Sequence, residues 1–160
     1  MELCQWTQES PVGPLTIAAG RAGVRSVALG GSASGHTCED CRAVHDAMAR
    51  YFAGDVAALA GVRVDLGLAG TDFQRLVLQT LREIVPPGST TTYGALAAAV
   101  GRSGAARAVG TAMARNPVPI LVPCHRVLRS EGGVGNYGGG PDMKRFLLEL
   151  EGAPVARQVA

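Results

Sequence analysis

With 160 residues, 47% of them hydrophobic, the chain has material for one substantial core or for a small lobe set against a larger one, and little for two independent domains. It has no run near the roughly eighteen uninterrupted apolar residues of a membrane helix, and its first residues lack the basic-then-apolar order of a secretion signal, so a soluble cytoplasmic protein is expected. The net charge of +2 is too small to announce a nucleic-acid partner. Residues 1–70, however, hold 5 Lys and Arg against 7 Asp and Glu, and residues 71–160 hold 10 against 6, so a polyanion is expected to meet the second half.

Taken in chain order, Leu15-Thr16-Ile17 and Val24 to Leu29 alternate apolar and polar residues between Pro and Gly punctuation and read as strands of a hairpin in a small antiparallel sheet. Cys41 to Phe52 places Val44, Met48, Tyr51 and Phe52 on one helical face, with Gly54 as the stop, and Val62 to Leu66 can return to the sheet as another strand. Thr71 caps a further helix, with Gln74 in capping-box spacing and Phe73, Val77, Leu81 and Ile84 as its apolar stripe. Pro86-Pro87-Gly88 ends it. Thr90 to Thr92 offers a cap for the next helix, Tyr93 to Val100, which Gly101 closes, and Ser103 can cap a third that runs to about Ala114. The last two have helix-turn-helix proportions, a pairing that also occurs as plain core. Residues 104–112 are nearly all small around a single Arg107, which suits close approach either to a neighbouring helix or to DNA.

The four cysteines, Cys4, Cys38, Cys41 and Cys124, are too unevenly spaced for a secreted disulfide scaffold, and reduced thiols are expected. The cluster from His36 through Cys38 and Cys41 to His45 has metal-like spacing, against the plainer reading of a polar loop leading into a helix. Cys124 ends a buried apolar run and is followed by His125. A thiol becomes a strong nucleophile only as thiolate, and an imidazole within reach can take its proton. A lone Cys-His pair is nonetheless more often a buried cysteine beside a partly exposed histidine.

The motif Pro-Cys-His-Arg-Val at 123–127 resembles that of the O6-alkylguanine-DNA alkyltransferases. Thr-Thr-Tyr-Gly at 91–94, Ala-Arg-Ala-Val-Gly at 106–110, Arg-Asn-Pro-Val-Pro at 115–119 and Gly-Asn-Tyr-Gly-Gly-Gly at 135–140 also resemble that family, in its order and at its spacing. The match is dense over residues 71–152 and loose before them, through Ser-Pro-Val-Gly-Pro-Leu at 10–15. The resemblance implies a mixed α/β (α+β) fold. A small N-terminal sheet with a helix would occupy residues 1–70, ribonuclease-H-like in the family. A mainly helical DNA-binding and alkyl-acceptor lobe with a helix-turn-helix would occupy 71–152, and 153–160 would form a tail.

It also implies direct reversal of DNA damage, an alkyl group passing irreversibly and once from O6-alkylguanine, or O4-alkylthymine, to Cys124. His125 would act as base through a bound water, Glu151 would orient it, Tyr93 would protonate the leaving guanine, and Asn116 would brace the turn. The damaged nucleotide must be rotated out of the stack, and Arg107 would fill the gap from a minor-groove helix, with Ala106, Gly110, Thr92 and Arg115 also at the DNA. Val127 would offer its carbonyl to guanine, and Tyr137 and Gly138 would wall the base pocket. The partner would be double-stranded DNA carrying O6-alkylguanine, met by a monomer with no cofactor, no metal and no membrane. Two departures stand out: Leu78 occupies a place where the family often has Trp, and Gly138 one where many relatives carry a hydroxyl. The second predicts a more open pocket, tolerant of larger alkyl groups. A non-enzymatic alkylated-DNA sensor, a Cys-His hydrolase and the repair domain of a regulator are the rival readings. Relatives of the sensor kind replace the cysteine, which is present here.

Overall fold

The computed structural model describes residues 3–31 and 39–154. His36, Cys38 and the tail beyond residue 154 lie outside these. The chain is a mixed α/β protein that divides into two compact units, one running to Leu68 and including Pro117–Leu121, the other formed by Ala69–Asn116 and the chain from Val122 onward.

In the first unit, β1 (Cys4–Gln8), β2 (Leu15–Gly20) and β3 (Gly23–Leu29) form an antiparallel sheet in that order, followed by α1 (Glu39–Phe52). Its register sets Trp6 opposite Ile17 and Ile17 opposite Val27; the period of two turns Trp6, Leu15 and Ile17 inward, and a register shift at Ala18/Ala19 lets Val24 and Val27, three residues apart, both face the core. From α1, Met48 and Tyr51 are fully buried, and the His45 carbonyl accepts from Gln8 Nε2 at 3.3 Å. The expected strand at Val62–Leu66 is reduced to one bridge, Val24 with Val64. The Asp65 side chain turns back to accept from Gly67 N at 2.9 Å, which curls the chain off the sheet edge. Cys4 is disulfide-bonded, whereas Cys41 and Cys124 are thiols. Expecting reduced thiols throughout therefore failed at Cys4, because pairing follows proximity in space and not spacing along the chain.

The second unit contains α2 (Asp72–Ile84), β4 (Thr91–Thr92), α3 (Tyr93–Ala99), α4 (Ala106–Ala114), a 3-10 turn at Cys124–Arg126, β5 (Val127–Leu128) and α5 (Pro141–Leu150). Thr71 caps α2, its hydroxyl accepting from Gln74 N at 3.0 Å. The stripe buried by α2 is Gln74, Val77, Leu78 and Leu81, followed by Val85. Phe73 is only partly buried and Ile84 is 52% exposed, since both lie roughly 90° round the helix from the centre of that face. Thr92 caps α3 through a bond from Ala95 N at 3.0 Å. Ser103 does not cap α4. Gly104, at φ +90°, and a turn from Ala105 N to Arg102 O move the helix start to Ala106.

The helices α3 and α4 pack on each other and both pack on α2. Gln74 joins α2 to the end of α4: its Nε2 donates to the carbonyls of Ala112 (3.4 Å) and Arg115 (3.0 Å), while its Oε1 accepts from Gly70 N at 2.7 Å. Gln74→Leu keeps the volume but strands three buried or half-buried polar groups. We expect it to lower stability by about 2 kcal/mol, seen as a lower urea midpoint at unchanged slope. An unchanged midpoint would remove Gln74 from the account of how α4 is held.

Candidate active site

The turn that carries Cys124 is built by its own backbone: Cys124 N donates to Val122 O at 2.8 Å and Arg126 N to Pro123 O at 2.9 Å. Asn116 Nδ2 holds the same Val122 carbonyl at 3.0 Å, and the Asn116 side chain also hydrogen-bonds the Cys124 sulfur. Asn116 is thus both a brace and a direct partner of the thiol.

Behind the partly buried Cys124, the side chains of His125, Arg126 and Glu151 are buried together. Glu151 caps the C-terminus of α5, and its carboxylate accepts three bonds: from His125 Nε2 at 2.9 Å, from Arg126 Nε at 2.8 Å and from the Arg126 terminal guanidinium nitrogen Nη2 at 2.8 Å. Arg126 Nη1 donates to the carbonyl of Val85, the C-cap of α2, at 2.7 Å, so one guanidinium ties the ends of two helices to the carboxylate. Burial alone pushes the Glu151 carboxyl up, but the bonds from Arg126 and His125 outweigh it and hold the group at about 2. An ionised carboxylate can only accept, so His125 Nε2 carries the proton and Nδ1 has the free lone pair. That Nδ1 is buried and has no hydrogen-bond partner among the described residues.

Burial pushes the His125 imidazole down, against the pull of Glu151, and pushes the Cys124 thiol up, against Asn116 and Lys144. At neutral pH the resting pair is therefore thiol and neutral imidazole, and the thiolate has to be made by moving one proton.

The sulfur opens on a cavity of about 1020 Å³. Tyr93, Tyr137 and Gly138 line it beside Cys124, and from α4 come Ala106, Arg107 and Gly110. Arg107 is exposed. The Tyr137 hydroxyl is buried without a hydrogen-bond partner among the described residues, its ring centroid 6.5 Å from that of His125. Thr92 and Arg115 do not line the cavity: the first caps α3, and the second ends α4, exposed, with its carbonyl held by Gln74. The Val127 carbonyl is already taken by Lys144 Nζ at 2.6 Å, which leaves one lone pair for anything else.

Lys144 is the side chain that the sequence reading missed. It projects from α5, is 0% exposed, and donates to Val127 O and, at 3.4 Å, to Asn136 O. Its Nζ lies 6.0 Å from the Tyr93 ring centroid. Burial lowers it to about 8, opposed by the charge of Cys124, and its ammonium in turn favours the thiolate. Arg126 stood inside a quoted motif without a role, and nothing in a lone Lys within Asp-Met-Lys-Arg signals burial. Among the described residues no group of three metal-ligating side chains exists, and His36 and Cys38 of the suspected cluster lie outside them.

The chain is similar to known proteins in sequence and in fold. The sequence profile of the 6-O-methylguanine DNA methyltransferase, DNA binding domain, matches residues 72–153. The methylated-DNA–protein-cysteine methyltransferase of Mycobacterium tuberculosis (strain ATCC 25618 / H37Rv) is 43% identical over 156 residues, covering 91% of this chain and 90% of the relative. That of Methanosarcina acetivorans is 39% identical over 153 residues, with 91% and 96% covered. The crystal structure of Mycobacterium tuberculosis OGT in complex with DNA matches with a TM-score of 0.75 at 40% identity, over 92% of this chain and 93% of that one.

The depressed carboxyl of Glu151 links the site to stability. Its ordinary value is 4.5 and its value in the fold about 2, so its contribution is complete above 4.5 and is lost as pH falls toward 2. Urea midpoints measured from pH 6 to pH 2 should drop through that window in the wild type and less steeply in Glu151→Gln. Equal slopes would show that the carboxylate is not held in this way.

Proposed function

Because the chain belongs to the O6-methylguanine-DNA methyltransferase family, we propose that Cys124 is the alkyl acceptor through which this DNA-binding methyltransferase repairs DNA by direct transfer. The observation that supports it best is a thiol opening on a cavity that also holds Tyr93 and Arg107, backed by an imidazole whose tautomer a buried carboxylate dictates. His125 takes up the thiol proton at Nδ1, through one bridging water as the resemblance implies. The thiolate attacks the alkyl carbon, the carbon–O6 bond breaks, and the electron pair leaves with guanine. Tyr93 donates its phenolic proton to the departing base and regains one from the His125 imidazolium. In balance, S–H and C–O bonds break while S–C and guanine N–H bonds form. The thioether has no good leaving group, so each molecule acts once.

To present O6 to the sulfur, the nucleotide rotates out of the duplex at a cost of a few kcal/mol. Arg107 occupies the vacated stack, and the small residues Ala106 and Gly110 allow α4 to lie in the minor groove. Thr92 and Arg115 contribute through the caps and ends of these helices. The Val127 carbonyl, shared with Lys144, and Tyr137 receive the base. A Cβ on Gly138 would meet nothing within 4 Å, which supports acceptance of alkyl groups larger than methyl on guanine or on O4 of thymine. Residues 71–152 carry both binding and transfer in a monomer that works in the cytoplasm, and among the described residues no helix is long and apolar enough to cross a membrane.

Mass spectrometry after mixing with duplex DNA containing O6-methylguanine tests this reading. The peptide holding Cys124 should gain one methyl group with the stoichiometry of the protein, and Cys124→Ser should gain none. Binding of the same DNA without any mass gain would favour the lesion sensor.

A further inference from the structure

The short parallel ladder sets side by side two residues of which the chemistry above uses only one. β4 and β5 pair Thr91 with Val127 and Thr92 with Leu128, so the next residues along the two strands are Tyr93 and Arg129. They stay together past the ladder. The point that a Cβ on Gly135 would occupy lies 3.3 Å from Tyr93 Oη, 3.6 Å from Arg129 Cγ and 3.6 Å from Lys144 Nζ. Gly135 sits at φ +77°, so glycine both adopts the backbone and leaves the space in which the three side chains converge.

The backbone of Arg129 is fixed by a tight turn, its N–H donating to Gly133 O at 3.1 Å and its carbonyl accepting from Gly132 N at 2.9 Å. Its side chain lines the same cavity as Cys124 and Tyr93, and among the described residues its guanidinium makes no hydrogen bond or ion pair. The neighbouring Glu131 carboxylate is held by Ser130 Oγ at 3.2 Å instead.

We infer that Arg129 is a positioning residue for the transfer step, placing a positive charge beside the phenol that hands its proton to the departing guanine. The inference rests on the proposed role of Tyr93 and adds a requirement to it. A phenol that gives up its proton inside a half-buried pocket next to a thiolate does so against two opposing influences. Burial and the charge of Cys124 both hold the Tyr93 proton on, and Arg129 is the group that works the other way. Lys144, the other cation nearby, is already divided between two carbonyls and the thiol. A partly solvated cation beside a developing phenolate is expected to be worth about five- to tenfold in rate.

The test is single-turnover methyl transfer at saturating O6-methylguanine duplex, measured for Arg129→Gln and Arg129→Lys in the wild type and in Tyr93→Phe, with the Kd for undamaged duplex measured alongside. Arg129→Gln should slow transfer about five- to tenfold with less than a twofold change in Kd. Arg129→Lys should recover most of the rate, and in Tyr93→Phe the glutamine substitution should cost less than twofold. An equal slowing in both backgrounds overturns the inference, as does a loss carried wholly by Kd with the salt dependence reduced by about one charge, the behaviour of a phosphate contact. Wild-type protein that gains no methyl group at Cys124 sinks the functional reading itself, whereas normal wild-type transfer with either overturning result sinks only the role of Arg129.

Discussion

The second unit depends on one buried carboxylate. Glu151 sits where a negative charge is costly, and the charge-assisted bonds from Arg126 and His125 outweigh that cost and keep it ionised. Because Arg126 also holds the carbonyl that ends α2, the charge fixes helix ends as well as a side chain. Because the carboxylate can only accept, the proton of His125 is confined to Nε2, and the one basic nitrogen is turned away from the carboxylate. Chemistry and architecture thus draw on the same few atoms.

From that constraint follows a division of labour around the sulfur. Burial keeps the thiol and the imidazole neutral at rest, which protects the proposed acceptor from stray electrophiles. Asn116 and Lys144 pull in the opposite direction and lower the cost of the thiolate when it forms. The cavity in front of the sulfur adds two tyrosines of different character. Tyr93 is half-buried among charges that modulate its proton, whereas deep burial keeps Tyr137 protonated throughout. A site used once gains more from restraint before the lesion arrives than from speed afterwards.

Much of this was legible locally. Caps at Thr71 and Thr92, the strands from Leu15 and Val24 and the end of α4 near Ala114 follow from short-range patterns that tertiary context left intact. Where the reading slipped, a longer-range effect decided. Ile84 is exposed because α2 turns a face centred one residue along, Val62–Leu66 yields one bridge because Asp65 closes a turn, and Ser103 lost its helix to Gly104. The partnership of His125 with Glu151 spans 26 residues, and no local pattern announces it; only the family resemblance did. Lys144 was invisible for a related reason, since a lysine in an amphipathic helix reads as solvated until the two carbonyls that hold its ammonium are placed around it.

The claim on which all of this turns is the protonation state that Glu151 imposes on His125. Nitrogen-15 NMR of the His125 ring in the unreacted protein at neutral pH reads it directly. A neutral ring protonated at Nε2, with the chemical shift of an unprotonated nitrogen at Nδ1, is the predicted result. A proton on Nδ1, or an imidazolium bearing both, would contradict the account.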